Sequence, residues 1–191
     1  DNRDGNTLAT ALNALDAEGA ATPLSIATGF FTPSGLVQIA PALRKGGKVR
    51  LMIGVEPPRT LETAAPKPGE NAAGRAKRIL NEERQFAEMA LRDARDRYPF
   101  TPQAREALRE LAALAKAGTI EARLYADRFL HAKAFIAGGE SPRVIAGSGN
   151  ITTGGLTRNL ELALGRADET AVAAQTWFDE LWDEAEDWDL A

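Results

Sequence analysis

Apolar positions along the chain switch between two spacings, one close to four residues and one of two, as expected when helices and strands alternate. Leu8, Leu12 and Leu15 fall on one face of a first helix, with Gly19 placed to stop it. The run PLSIATGFF is rich in β-formers and is predicted as a buried strand. Thr32 and Pro33 then supply an N-cap and a first-turn proline for a helix ending near KGG, with Pro41 kinking or breaking it. KVRLMIG is the next strand, and the strand–helix–strand order predicts that the two strands run parallel.

Residues 57–74 are rich in Pro, Ala and Gly and read as a long mobile loop. A charged helix is predicted from Arg75 to Arg97, with Ile79, Phe86 and Ala90 on its apolar face. Thr101 and Pro102 open another helix carrying Leu108, Leu111 and Leu114, and Gly118 closes it. IEARLYA reads as a strand, HAKAFIA and RVIAG as an antiparallel hairpin, and NLELALG as a further strand. A final amphipathic helix starts near Asp168, with Val172, Phe178, Leu181 and Ala185 predicted to face inward. Trp177, Trp182 and Trp188 are assigned to this acidic helix as packing or domain-contact residues, and Phe30 and Phe31 to the core. The pattern predicts one α/β domain over residues 1–191, an α/β/α sandwich with a mixed β-sheet.

Composition narrows the chemistry. The 191 residues carry 23 Lys and Arg against 27 Asp and Glu, so nucleic-acid binding would need a local basic patch. No cysteine is present, which excludes disulfides, thiolate metal sites and cysteine nucleophiles, and the single histidine argues against a zinc site. We therefore expect no cofactor and no metal. There is no apolar run long enough to span a membrane and no signal-peptide pattern, so the expected location is cytoplasmic. The start at Asp1 leads us to expect a piece of a larger, Ala- and Arg-rich protein.

The lone histidine sits in the densest chemistry of the chain. His131 and Lys133 are two apart on a predicted strand and so share a face. Ser148 and Asn150 lie in a Gly-flanked turn after the adjacent strand, and the hairpin returns that turn to the histidine's side. Glu161 is on the following strand. Imidazole, ammonium, hydroxyl, carboxamide and carboxylate suit an anionic phosphorus centre: the imidazole attacks, and Lys133, Ser148 and Asn150 donate to phosphate oxygens. Glu161, if it reaches the second ring nitrogen, orients the imidazole. Arg123, Arg128, Arg143 and Arg158 surround the motif in sequence; Arg128, Arg143 and Arg158 are the candidate phosphate contacts, the alternative being solubilising charge. GSGN is not a P-loop, because no Gly-Lys-Ser/Thr follows.

The run His131-x-Lys133, then Gly147-Ser148-x-Asn150, then GGLTRNLE ending at Glu161 resembles the phospholipase D superfamily. It is most similar to the single-motif phosphodiesterases and nucleases, and to the PLD-like domains that precede helicase motors in some bacterial proteins. LSIATGFFTPSGLVQIAPALRKGGKVRLMIG fits the opening unit of that group. The family's full motif places an aspartate where this chain has Gly138. By the resemblance, that aspartate supports the site and is not the nucleophile.

The resemblance also implies a mechanism with two imidazoles, one attacking phosphorus and one protonating the leaving oxygen. With one histidine per chain, the expectation is a homodimer whose twofold axis passes through the site. The implied activity is a metal-independent DNA endonuclease working through a phosphohistidine, with DNA and a fused or partner helicase domain as partners. The alternative is a non-catalytic DNA-binding and dimerisation module of a helicase or restriction-type protein. A small-molecule or lipid phosphodiesterase is the third reading, disfavoured for lipid because no amphipathic membrane helix or apolar lid is evident.

Overall fold

The computed structural model describes residues 2–15, 23–45, 47–54, 67–71 and 101–189, and residues 73–75, 77–79, 81–82, 85 and 89 of an intervening helical segment. The alternating pattern folds as an α/β unit built on one seven-stranded mixed sheet. Its strands are β1 (Leu24–Thr28), β2 (Val49–Gly54), β3 (Ile120–Tyr125), β4 (Lys133–Ala137), β5 (Arg143–Gly147), β6 (Ala163–Arg166) and β7 (Glu186–Trp188). Their order across the sheet is β6-β5-β4-β1-β2-β3-β7. β1, β2 and β3 are parallel, whereas β4, β5, β6 and β7 each run antiparallel to the neighbour they join.

The helices are α1 (Leu8–Asn13), α2 (Pro33–Gln38), α3 (Ala40–Lys45), α4 (Pro102–Lys116), α5 (Thr153–Thr157) and α6 (Glu169–Glu184). Local signals set their starts. Thr32, Thr101, Thr152 and Asp168 are N-caps whose side chains accept from backbone N–H groups in the first turn. Gly118, at φ +71°, turns the chain out of α4 in a left-handed conformation that suits glycine. The break that Pro41 predicts falls two residues earlier, at Ile39, leaving Pro41 at the second position of α3, where no N–H is needed.

Two apolar layers sandwich the sheet. Leu24, Ile26, Val49, Leu51, Ile53, Leu124 and Phe135 face a layer holding Leu8 and Leu12 of α1, Leu43 of α3 and Leu111 of α4. Ala27, Met52, Ala134, Ile136 and Val144 face the opposite way, onto Ala171, Phe178 and Trp182 of α6. Arg50 and Arg123 project toward this second layer, their guanidinium groups 5.0 Å from the Phe178 ring centre and 4.8 Å from that of Trp182.

Several expectations need correction. Val172 is exposed; the inward stripe of α6 is Ala171, Phe178 and Trp182, continued by Ala185 just past its end. Trp188 does not belong to α6 but to β7, a strand the apolar pattern does not signal. Phe31 is buried, but Phe30 is exposed. The charged helix predicted from Arg75 is already helical at Ala73, inside the predicted loop, while Phe86, Ala90 and the stretch from 91 to 97 lie outside the described residues. Gly19 and most of the 57–74 segment lie outside them too. No helix among the described residues is long and apolar enough to cross a membrane.

Candidate active site

The sheet topology gathers the singled-out residues at one end. The C-terminal ends of β1 and β5 and the N-terminal ends of β4 and β6 all lie along that end, because β4 and β6 run opposite to their neighbours. The chain leaves β3 and crosses over the ends of β2 and β1 before entering β4. Gly54 makes that crossing possible: a Cβ there would lie 1.9 Å from the carbonyl oxygen of Leu130. Gly29 N donates to Ala132 O at 3.0 Å and ties the segment to the end of β1.

His131 rides on this crossing segment, two residues ahead of β4 and not within it. Its ring is exposed and leans on Phe129, with ring centres 5.2 Å apart. Lys133, the first residue of β4, is buried at 6 % exposure. Its Nζ donates to the carbonyl oxygen of His131 at 2.9 Å, so the lysine braces the backbone that carries the imidazole. Lys133 makes no ion pair among the described residues. Desolvation pushes its pKa below the ordinary value of 10.5, partly offset by the field of Glu161. A buried ammonium with two protons to spare and no carboxylate against it is a ready anion site.

The turn after β5 is pinned beside the end of β1 by a parallel bridge between Phe31 and Ile151, with Thr32 N donating to Ile151 O at 2.8 Å. Within it, Ser148 Oγ bonds Glu161 Oε2 and accepts from Leu162 N at 3.2 Å. Glu161 lies just ahead of β6, and its other oxygen accepts from Asn159 Nδ2 at 3.3 Å. The carboxylate is thus held by Ser148 and Asn159, and not by the His131 ring, as the triad-like expectation has it. Asn150 Oδ1 is buried without a hydrogen-bond partner, as is Thr153 Oγ1 nearby in sequence. Arg50 Nε and Gln175 Oε1, away from this end of the sheet, are buried without partners as well.

The candidate phosphate arginines do not share one fate. Arg143 begins β5, opposite Ala137, roughly 13 Å along the strand from Gly147. It belongs to the far end of the sheet and not to this site. Arg128 is exposed three residues before His131, with Asp127 3.6 Å away, and Arg158 is exposed at the end of α5. Arg123 is committed to α6, donating to Trp182 O at 2.6 Å and pairing with Asp187 at 2.9 Å. Three residues escaped the sequence reading. Asn159 holds Glu161; Thr153 carries one of the orphaned oxygens; Asn2 donates to Asn159 O at 2.9 Å and Gly155 O at 3.0 Å. Asn159, two positions before Glu161, was the detectable one.

Gly138, the position of the family's aspartate, ends up remote from this chemistry. It follows the C-terminal end of β4, roughly 23 Å from His131 for seven extended residues. Gly138 N donates to Pro23 O at 2.9 Å, and a Cβ there would meet Gln175 Oε1 at 3.1 Å. The missing carboxylate therefore bears on packing at the opposite end of the sheet.

Comparison with known proteins agrees with this fold. The family described as cardiolipin synthase, PLD-like domain, matches residues 17–182. Nuc of Salmonella typhimurium, a phospholipase D family member, superposes with a TM-score of 0.52 at 16 % identity, over 94 % of this chain and 89 % of that one. NucT of Helicobacter pylori superposes with a TM-score of 0.50 at 14 % identity, over 95 % and 88 %. No curated protein sequence matches the chain. With the family matched across most of its length and a sheet that brings His131, Lys133 and Glu161 to one end, the chain belongs to the phospholipase D-like family.

Proposed function

We propose that this chain is a metal-independent phosphodiesterase that cleaves DNA through a phosphohistidine, in a site completed by a second copy of itself. The observation that carries this reading is the Lys133 ammonium, buried, free of any ion pair among the described residues and bonded to the carbonyl of His131. A phosphate bound by that ammonium lies beside the exposed imidazole. A ring nitrogen of His131 attacks phosphorus, forming a P–N bond as the P–O bond to the leaving oxygen breaks. That oxygen takes its proton from His131 of the second copy. Water then attacks phosphorus, gives its proton to the same second imidazole, and the P–N bond breaks. Ser148 and Asn159 hold Glu161, whose charge partly offsets the desolvation of the Lys133 ammonium.

The test is cleavage of plasmid and of bis-(p-nitrophenyl) phosphate in EDTA by wild type and His131→Ala. Metal-free turnover should fall at least about 10³-fold in the variant, which lacks the nucleophile. Turnover that survives the substitution rules out the nucleophile role. One observation favours a second reading, a DNA-binding and dimerisation module without catalysis: the Glu161 carboxylate is engaged away from the His131 ring. Salt-sensitive DNA binding with no cleavage would decide for it.

A further inference from the structure

Glu161 enters the site from the stretch just ahead of β6, where neighbouring residues alternate between faces. Leu160, Leu162 and Leu164 take the open side and are exposed. Glu161, Ala163 and Gly165 take the side of α1, where they line a cavity of about 210 Å³ with Asn2, Asn6 and Thr7. With open space beside it, the Glu161 carboxylate depends on its bonds to Ser148 and Asn159 for its place.

The loop that carries Asn159 is itself tied down from a distant part of the chain. Asn2 lies ahead of α1, 157 positions from Asn159 in sequence. Its Nδ2 donates to Asn159 O at 2.9 Å and to Gly155 O at 3.0 Å, and its Oδ1 accepts from Leu8 N at 2.8 Å. One side-chain amide therefore joins the start of α1, the middle of α5 and the residue that bonds Glu161. Leu8 closes on the same ground: a Cβ on Gly149 would meet Leu8 Cδ2 at 2.9 Å and Gly155 O at 2.8 Å. Asn2 lies outside residues 17–182, the stretch the family shares.

We propose that Asn2 is a positioning residue: its amide latches the loop before β6, so that Asn159 keeps the Glu161 carboxylate fixed at the active site. The role rests on the reading of the site given above; the hydrogen-bond chain from Asn2 through Asn159 to Glu161 does not. Without the latch the loop shifts, Asn159 releases Glu161 toward solvent, and the field of Glu161 on Lys133 weakens. That field partly offsets the desolvation of the ammonium, so Lys133 then gives up its proton at lower pH.

Asn2→Ala, Asn159→Ala and the double variant test this, with Thr7→Ala as the control. Thr7 caps α1 by accepting from Thr10 N at 3.0 Å, so its loss frays the same helix and spares the latch. None of these substitutions changes a charge, and Arg3, Arg128, His131, Arg158 and Glu161 are common to all the chains. Binding of inorganic phosphate is followed by calorimetry across pH, with metal-free cleavage alongside. In Asn2→Ala and in Asn159→Ala, phosphate binding should fade at a pH lower by roughly half a unit than in wild type. Turnover per folded molecule should fall about 10-fold in each. The double variant should be no worse than Asn159→Ala, because both changes act on one carboxylate. Thr7→Ala should lower the unfolding midpoint and keep the wild-type pH limit and turnover. Losses that add in the double variant overturn the latch, as does an Asn2→Ala chain that matches Thr7→Ala in both readouts. If wild type never cleaves without metal but the pH limit moves as expected, the latch stands and the phosphodiesterase reading fails. If His131→Ala abolishes cleavage while Asn2→Ala leaves cleavage and phosphate binding intact, the latch alone fails. A wild type that neither binds phosphate nor cleaves overturns both.

Discussion

Arg50 and Lys133 are both cations on strands that flank β1, and the fold treats them in opposite ways. Arg50 lies beneath α6, where its guanidinium donates to Ser25 Oγ at 2.9 Å, pairs with Asp179 at 2.6 Å, and stacks near both Phe178 and Trp182. Its charge is used up within the fold, as is that of Arg123 one strand further on. Lys133 is more deeply buried, yet it donates to a backbone carbonyl, that of His131. In the turn after β5 and the start of α5, Asn150 Oδ1 and Thr153 Oγ1 are buried without hydrogen-bond partners. Arg50 Nε also lacks a hydrogen-bond partner, so the two cations differ in the ion pair: Arg50 has a carboxylate against it, and Lys133 has none among the described residues.

Substitution at each cation's surroundings sharpens the contrast. Trp182→Ala removes the ring under both arginines and should cost about 3–5 kcal/mol of stability, read by urea denaturation, while turnover per folded molecule stays unchanged. Lys133→Met should do the reverse. It removes a buried charge that lacks an ion pair, so the midpoint of unfolding holds or rises. Metal-free cleavage should fall by about 10²- to 10³-fold through loss of a donor to the phosphate. A Lys133→Met protein that unfolds as readily as Trp182→Ala would erase the distinction between the two regions.

The smallest effect is on pH. The folded-state pKa of Lys133 is lowered from 10.5, chiefly by desolvation. Below that lowered value both folded and unfolded chains carry the proton, and the burial penalty is present in full. Between it and 10.5 the unfolded chain binds more protons, so this residue's contribution to stability improves as pH rises. Phosphate binding needs the ammonium and weakens through the same window. Inhibition by inorganic phosphate should therefore fade below pH 10.5, and the difference in unfolding free energy between wild type and Lys133→Met should narrow there.

Much of this was legible in the sequence because local signals and the global fold agree. The parallel β1–β2 pair follows from two apolar runs joined by a capped helix, and the β4–β5 hairpin from HAKAFIA and RVIAG. That hairpin delivers Ser148 to the same end as Lys133, as the motif spacing suggests. What failed depended on tertiary context. β7 is three residues long and begins with two acids, so only its pairing with β3 reveals it. Val172 is apolar but one residue off the stripe that Ala171, Phe178 and Trp182 define. Arg143 is near the motif in sequence but at the wrong end of its strand, and sequence distance cannot say which end a loop faces. NLELALG reads as a half-buried strand, with nothing to say that the leucines would take the open side.

Gly138 shows what the length of a strand can separate. β4 presents chemistry at its first residue and a bare packing contact just past its last, against Pro23 and Gln175. Changes at that distal point reach the imidazole only through the whole run of the strand. A side chain added at position 138 would thus press first on Pro23 and Gln175, at the end of the sheet away from the imidazole.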